Sequence, residues 1–208
     1  MRRSVAVLLA LVLALAGCTS SGTGKPKPSE LNGFDQVGQF QGAGLDPAQP
    51  RPSFTLTTTS GQRFSFGTVT AGHPTLLYFG YTNCPDVCPE TMADIRLALQ
   101  KVPVALARLT YVVFVTTDVK HDTGPVLAKW LSNFSGGSLA TFVGLRGTQA
   151  QIDAAQAAAH IAIAQDDGKT HSAQTLLYGT DDYAHVSFLQ SVNLRQQIEH
   201  DLPLVAKG

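Results

Sequence analysis

Residues 74–92, PTLLYFGYTNCPDVCPETM, join an unbroken apolar run to a loop holding two cysteines four positions apart, each followed by a proline. An apolar run of this length, bounded by His73-Pro74 and by the cysteine loop, reads as a strand buried on both faces and therefore as the centre of a sheet. Pro89 suits a first helical position. Beyond it Met92, Ile95, Leu99 and Val102 recur at i, i+3, i+7 and i+10, one apolar stripe on a helix expected to end before Pro103. The predicted order is strand, cysteine loop, helix, with Cys84 just ahead of the helix and Cys88 in its first turn. Side chains four apart share a helix face, with Cβ atoms about 5–6 Å apart, so the sulfurs can converge on one ion or close a disulfide. The positive end of the helix favours thiolate over thiol, which predicts that both cysteines are unusually reactive.

Upstream, FTLTTTSGQRFSF (54–66) alternates around Ser60-Gly61 and predicts a β-hairpin. Downstream, LTYVVFVTTD (109–118) reads as a second buried strand, GPVLAKWLSNF (124–134) as a helix and SLATFVGL (138–145) as another strand. TQAQIDAAQAAAHI (148–161) is an Ala-rich helix with Ile152 and Ile161 as core positions. SAQTLLYG (172–179) and AHVSFLQ (184–190) flank Thr180–Tyr183 as a hairpin, and NLRQQIEHDLPLV (193–205) closes the chain as a helix. Strand and helix alternate and hairpins stand at either end, which predicts an α/β fold: a mixed sheet with helices on both faces and an N-terminal β-hairpin.

The 208 residues, 44% of them hydrophobic, suffice for one domain with a substantial core plus appendages. Fifteen Lys+Arg balance fifteen Asp+Glu, so there is no basic field to gather nucleic acid. At the N-terminus Arg2 and Arg3 precede an apolar run, Val5–Ala16, which has the length of a signal-peptide core and falls short of a transmembrane helix. Leu15-Ala16-Gly17-Cys18 resembles the lipobox of bacterial lipoproteins, in which the cysteine is acylated. The expectation is a signal peptide over 1–17 and lipidation at Cys18, placing the protein, exported, on the outer face of the cytoplasmic membrane. Residues 18–51, rich in Ser, Gly, Thr, Pro and Gln, read as a flexible tether, and 52–208 as the folded domain.

With Cys18 lipidated, Cys84 and Cys88 must be explained together. A disulfide closing so short a loop removes little entropy from the unfolded chain, and two sulfurs are too few for a closed structural zinc site. Soft thiolates with one imidazole match a low-coordinate copper site. The stretches LLYFGYTNCPDVCPETM, VVFVTTDVKHDT and HSAQTLLYG, in that order, resemble the Sco (SenC) family of copper-binding, thioredoxin-like proteins that assist assembly of the dinuclear copper centre of cytochrome c oxidase. The resemblance covers roughly residues 52–205, and three residues between the cysteines set it apart from thioredoxins, which have two.

By that resemblance Cys84, Cys88 and His171 are the copper ligands, Cys84 and Cys88 being also a redox-active pair. A strand starting near Ser172 and running antiparallel to the central one would bring His171 to the end of the sheet where the cysteine loop emerges. His73 and His185 fall at the opposite end, His160 and His200 on helices, and His121 in a loop that could approach the site. Asp86 is a candidate fourth ligand or a loop-capping residue. Asp118-Val119 departs from the Asp-Pro usual in the family, so the loop after that strand is where this chain should differ in shape. The resemblance implies a metallochaperone carrying Cu(I) or Cu(II) to the copper-accepting subunit of the oxidase, with other copper chaperones or thiol reductants as further partners. The alternative is a thiol-disulfide reductase that keeps that subunit's cysteines reduced. A redox or copper sensor uses the same pair, and no Thr-x-x-Cys pattern marks a peroxidase.

Overall fold

The computed structural model describes residues 38–207; the expected signal peptide, Cys18 and the tether up to residue 37 lie outside them. In chain order come strands β1 (Ala43–Pro50), β2 (Thr55–Thr58) and β3 (Arg63–Ser65), helix α1 (Phe66–Val69), β4 (Thr75–Gly80), α2 (Val87–Leu99) and α3 (Val104–Leu109). Then follow β5 (Tyr111–Thr116), α4 (Gly124–Ser135), β6 (Thr141–Arg146), α5 (Gln149–Ala158), β7 (Gln174–Tyr178), β8 (Tyr183–Leu189) and α6 (Leu194–Val205). The strands form one mixed sheet in the order β1-β8-β7-β4-β5-β6-β2-β3.

Every residue of β4 is buried. Full burial of Leu76, Leu77 and Phe79 contributes about 1.5–3 kcal/mol each, enough to make this run the axis about which the domain condenses. It pairs parallel to β5 (Leu76 opposite Val112) and antiparallel to β7 (Leu76 opposite Leu177). Its two faces feed two cores. Leu76 and Tyr78 pack with Met92, Ile95, Leu127, Leu131, Ile198 and Leu202 from α2, α4 and α6. Leu77 and Phe79 pack with Phe54, Phe66, Ile152 and Ala155 on the other face. Helices cover both faces and the β2–β3 hairpin extends the β6 edge, as expected.

The expected boundary at residue 52 is corrected: the folded body begins before β1, within the stretch read as tether. Two buried charges capture it. The Asp201 carboxylate on α6 accepts the backbone N–H groups of Gln41 (2.9 Å) and Gly42 (2.7 Å). The Arg51 guanidinium, its side chain 2% exposed, pairs with Asp182 at 2.8 Å and donates to Thr70 Oγ1 and to the His73 and Gly179 carbonyls. It also lies over the rings of Tyr178 and Phe66, 5.0 and 5.8 Å from their centroids. Strand β1, with Gly44, Pro47 and Pro50, pairs with β8 only near its two ends and tolerates its prolines because it is an edge strand. Helix α3 is a second addition, short and half exposed, with no apolar periodicity to announce it. Among the described residues no helix is long and apolar enough to cross a membrane.

Arg51→Met should lower unfolding free energy in urea by about 2–4 kcal/mol, since it removes the charged donors while keeping the volume. Arg51→Lys should recover less than half of that, because an ammonium cannot supply the fork. A loss under about 0.5 kcal/mol for Arg51→Met would mean that the 40–51 segment is not anchored this way.

Candidate metal centre

Where β4 ends, the backbone passes close to the sulfur of Cys88. Gly80 permits this: a Cβ there would lie 2.8 Å from Cys88 Sγ and 3.0 Å from the Tyr78 ring. Cys88, in the first turn of α2, is fully buried, whereas Cys84 in the preceding loop is half-buried. Cys84 Sγ accepts the Cys88 backbone N–H at 3.4 Å, so the first sulfur occupies an N-terminal acceptor position of the helix. Asp86 is the N-cap residue, accepting the Val87 N–H at 2.6 Å, and it is exposed; the capping role holds and it is not among the converging donors.

An aspartate absent from the sequence-based expectations fixes the loop. Asp122 is buried and its carboxylate accepts the Thr82 N–H (3.0 Å), the Thr82 hydroxyl (2.5 Å) and the Thr116 hydroxyl (2.5 Å). The start of the cysteine loop is thereby tied to the end of β5. The signal was its place just beyond a buried parallel strand, at the sheet end where loops converge. Asp118 turns inward on its own loop, with Oδ1 accepting the backbone N–H of His121 at 3.2 Å and both oxygens 2.8 Å from its Nδ1. Asp118 and His121 are therefore partners of each other and do not join the cysteines.

His171 arrives on the segment between α5 and β7. This segment makes a single 3-10 turn at Asp166–Gly168 and docks through Gly168, whose carbonyl accepts the Thr117 hydroxyl at 2.6 Å. Gly168 has φ +88°, and a Cβ there would meet the Thr117 carbonyl oxygen at 2.0 Å, so only glycine fits. Beyond it, His171 Nδ1 lies 2.9 Å from the Ser172 carbonyl oxygen and Nε2 lies 3.4 Å from Cys88 Sγ. A carbonyl only accepts, so Nδ1 carries the hydrogen; burial holds the ring pKa below its ordinary value. The neutral ring thus presents the Nε2 lone pair to the sulfur. Edge-to-face contacts with Tyr78 and Tyr81, centroids 6.2 and 5.5 Å away, hold the ring from two sides.

The two sulfurs and an imidazole nitrogen lie within 4.8 Å of one another. Ligands about 2.0–2.3 Å from a common ion in a plane stand roughly 3.5–4 Å apart, so the trio needs only slight contraction to share one. The other histidines are elsewhere. His73 contacts the Leu109 carbonyl and His185 pairs with Asp181, both at the far end of the sheet. His200 pairs with Asp201, and His160 is exposed after α5.

The expectation of two reactive thiols is corrected at Cys88. Burial pushes its thiol up to about 12, and hydrogen bonds from the Tyr81 backbone and the Tyr78 hydroxyl offset that only in part. Desolvation outweighs the field of the helix terminus.

A family model described as SCO1/SenC matches residues 43–203. The protein SenC of Rhodobacter capsulatus is 36% identical over 115 residues, covering 55% of this chain and 49% of that one. A putative copper-binding protein of Stutzerimonas stutzeri is 33% identical over 101 residues, covering 49% of this chain and 47% of that one. The chain spans about half the length of these curated relatives. The structure of Bradyrhizobium japonicum ScoI with copper bound superposes with a TM-score of 0.61 at 25% identity, covering 75% of this chain and 99% of that one. The family match runs from the edge strand through the cysteine loop and His171 into the last helix, and the thioredoxin-like architecture agrees with it: this chain belongs to the SCO1/SenC family.

Proposed function

We propose that this protein is a membrane-anchored copper metallochaperone: Cys84, Cys88 and His171 hold one copper ion and pass it by ligand exchange to the copper-accepting subunit of cytochrome c oxidase. The observation that carries the reading is the orientation of His171. Its Nδ1–H is committed to the Ser172 carbonyl, which leaves Nε2 unprotonated and 3.4 Å from Cys88 Sγ. A carbonyl or carboxylate partner on the other ring nitrogen is the usual support of a metal-ligating histidine. Two soft sulfurs with one imidazole suit copper in either oxidation state and leave coordination positions open for an incoming ligand. The half-buried Cys84 is the natural point at which an acceptor's ligand enters and to which the ion is last attached.

Burial of Cys88 bears on the alternative reading. A thiol titrating near 12 is a poor attacking group at neutral pH, so in a reductase Cys84 would attack and Cys88 resolve the mixed disulfide. That exchange needs no metal ligand from His171. The two readings therefore differ in whether this imidazole is needed.

Anaerobic titration of the purified full-length protein with Cu(I) and with Cu(II) should give about one copper per chain. Either His171→Ala or Cys84→Ala should weaken binding by more than about 100-fold, beyond what losing a supporting partner costs. Unchanged Cu(II) affinity in His171→Ala, with thiol-disulfide exchange intact, favours the reductase.

Because Cys88 is protonated below about 12, capture of copper through its sulfur at pH 7 must expel that proton, and apparent affinity must rise with pH. A weakly buffered titration with an indicator dye should record at least one proton released per copper. No release would remove Cys88 from the ligand set.

Anchoring rests on Cys18, within the stretch that reads as a lipobox. The wild-type protein should incorporate labelled fatty acid in a bacterial host and Cys18→Ala should not; a wild-type protein that takes up no label would refute the anchor.

A further inference from the structure

Tyr78 projects from the middle of the central strand into the core below the site, fully buried and out of reach of solvent. Its hydroxyl donates a hydrogen bond to Cys88 Sγ at 3.6 Å, an ordinary length for a sulfur acceptor. The neighbouring Thr91 hydroxyl donates to Gln190 Oε1 at 3.0 Å and is a second hydrogen-bonding neighbour of the phenolic oxygen. The ring of the same tyrosine lies edge-to-face with His171 at 6.2 Å, at an interplanar angle of 80°. One side chain thus touches two of the three proposed ligands, by different means: a hydroxyl hydrogen on the sulfur and a ring edge on the imidazole.

We infer that Tyr78 is a positioning residue that sets the preference of the site between Cu(I) and Cu(II), acting through its hydrogen bond to Cys88 Sγ. The inference rests on the copper-binding reading above and deepens it. A hydrogen bond to a ligating thiolate draws electron density from the sulfur and weakens its donation to the ion. Cu(II), whose bond to thiolate depends more on that donation, loses more than Cu(I) does. In a buried site of low dielectric the effect is not diluted by water. The hydroxyl therefore disfavours the oxidised ion relative to the reduced one and keeps the sulfur from holding Cu(II) too firmly to release it.

Tyr78→Phe isolates the hydroxyl, since it keeps the ring against His171 and the volume of the core. In full-length protein loaded with Cu(II), the thiolate-to-copper charge-transfer band of Tyr78→Phe should move to longer wavelength than in wild type. The ratio of Cu(II) to Cu(I) affinity, measured by competition with chelators for each ion, should rise about tenfold, the worth of one hydrogen bond to a charged acceptor. Tyr78→Leu should show the same band shift and, in addition, weaker binding of both ions, because His171 loses its backing. A superimposable band and an unchanged affinity ratio in Tyr78→Phe would overturn the inference while leaving the copper site standing, as would a shift to shorter wavelength. Absence of any thiolate-to-copper band in wild type would overturn both.

Discussion

The antiparallel pairing of β4 with β7 is the constraint on which the rest depends. Because these neighbours run in opposite directions, the end of one and the beginning of the other fall at the same rim of the sheet. The cysteine loop leaves β4 at that rim and His171 enters β7 there, so groups more than eighty positions apart in sequence meet without a long connection having to find them. The pairing is itself enforced by burial: Leu76, Leu77 and Tyr78 face Leu177, Leu176 and Thr175, and a slip of one residue would turn each apolar set toward the wrong core. The site is therefore a consequence of the register of two buried strands. Asp122 and Gly168 then set the two loops locally, one by a carboxylate with three donors, the other by the absence of a side chain.

In the metal-free site burial holds Cys88 and His171 in their neutral forms. The positive end of a helix is worth about 0.3–1 kcal/mol to an anion nearby. A rise in the Cys88 pKa from the ordinary 9.0 to about 12 disfavours the thiolate by about 4 kcal/mol. Desolvation wins by a wide margin, so Cys88 waits as a thiol and His171 as a neutral ring. A soft cation that displaces the thiol proton brings the charge that burial otherwise forbids, which makes the pocket discriminate by sulfur affinity before any contact with a partner. The half-buried Cys84 gives the same site an open side, so on the proposed reading tight coordination and ready exchange would sit on different sulfurs.

Much of this was legible in the sequence because the signals were periodic. The unbroken run ending at Gly80, the stripe Met92-Ile95-Leu99 and the hairpin around Thr180–Tyr183 all form as their patterns imply; His171 came from the family resemblance, and the antiparallel strand expected after Ser172 does bring it to the cysteines. What escaped had no period. Strand β1 contains two prolines and a register shift between Gly44 and Gln49, and its attachment depends on Arg51 and Asp201, charges whose partners lie 131 and 160 positions away. Asp122 reads as one more polar residue in a loop until the fold brings Thr82 to it. The reactivity expected of Cys88 failed for the same reason: helix position can be read from spacing, whereas the depth of burial depends on Tyr78, Gly80 and Phe114 packed around it.

The central claim is that two sulfurs and one imidazole, drawn from the ends of neighbouring strands, bind a single copper ion. X-ray absorption at the copper edge of the loaded protein tests it most directly. The account predicts two sulfur scatterers at about 2.2–2.3 Å together with the multiple-scattering pattern of one imidazole, and loss of that pattern alone in His171→Ala. A copper environment of nitrogen and oxygen without sulfur, or an imidazole signal that survives the His171 substitution, would contradict it.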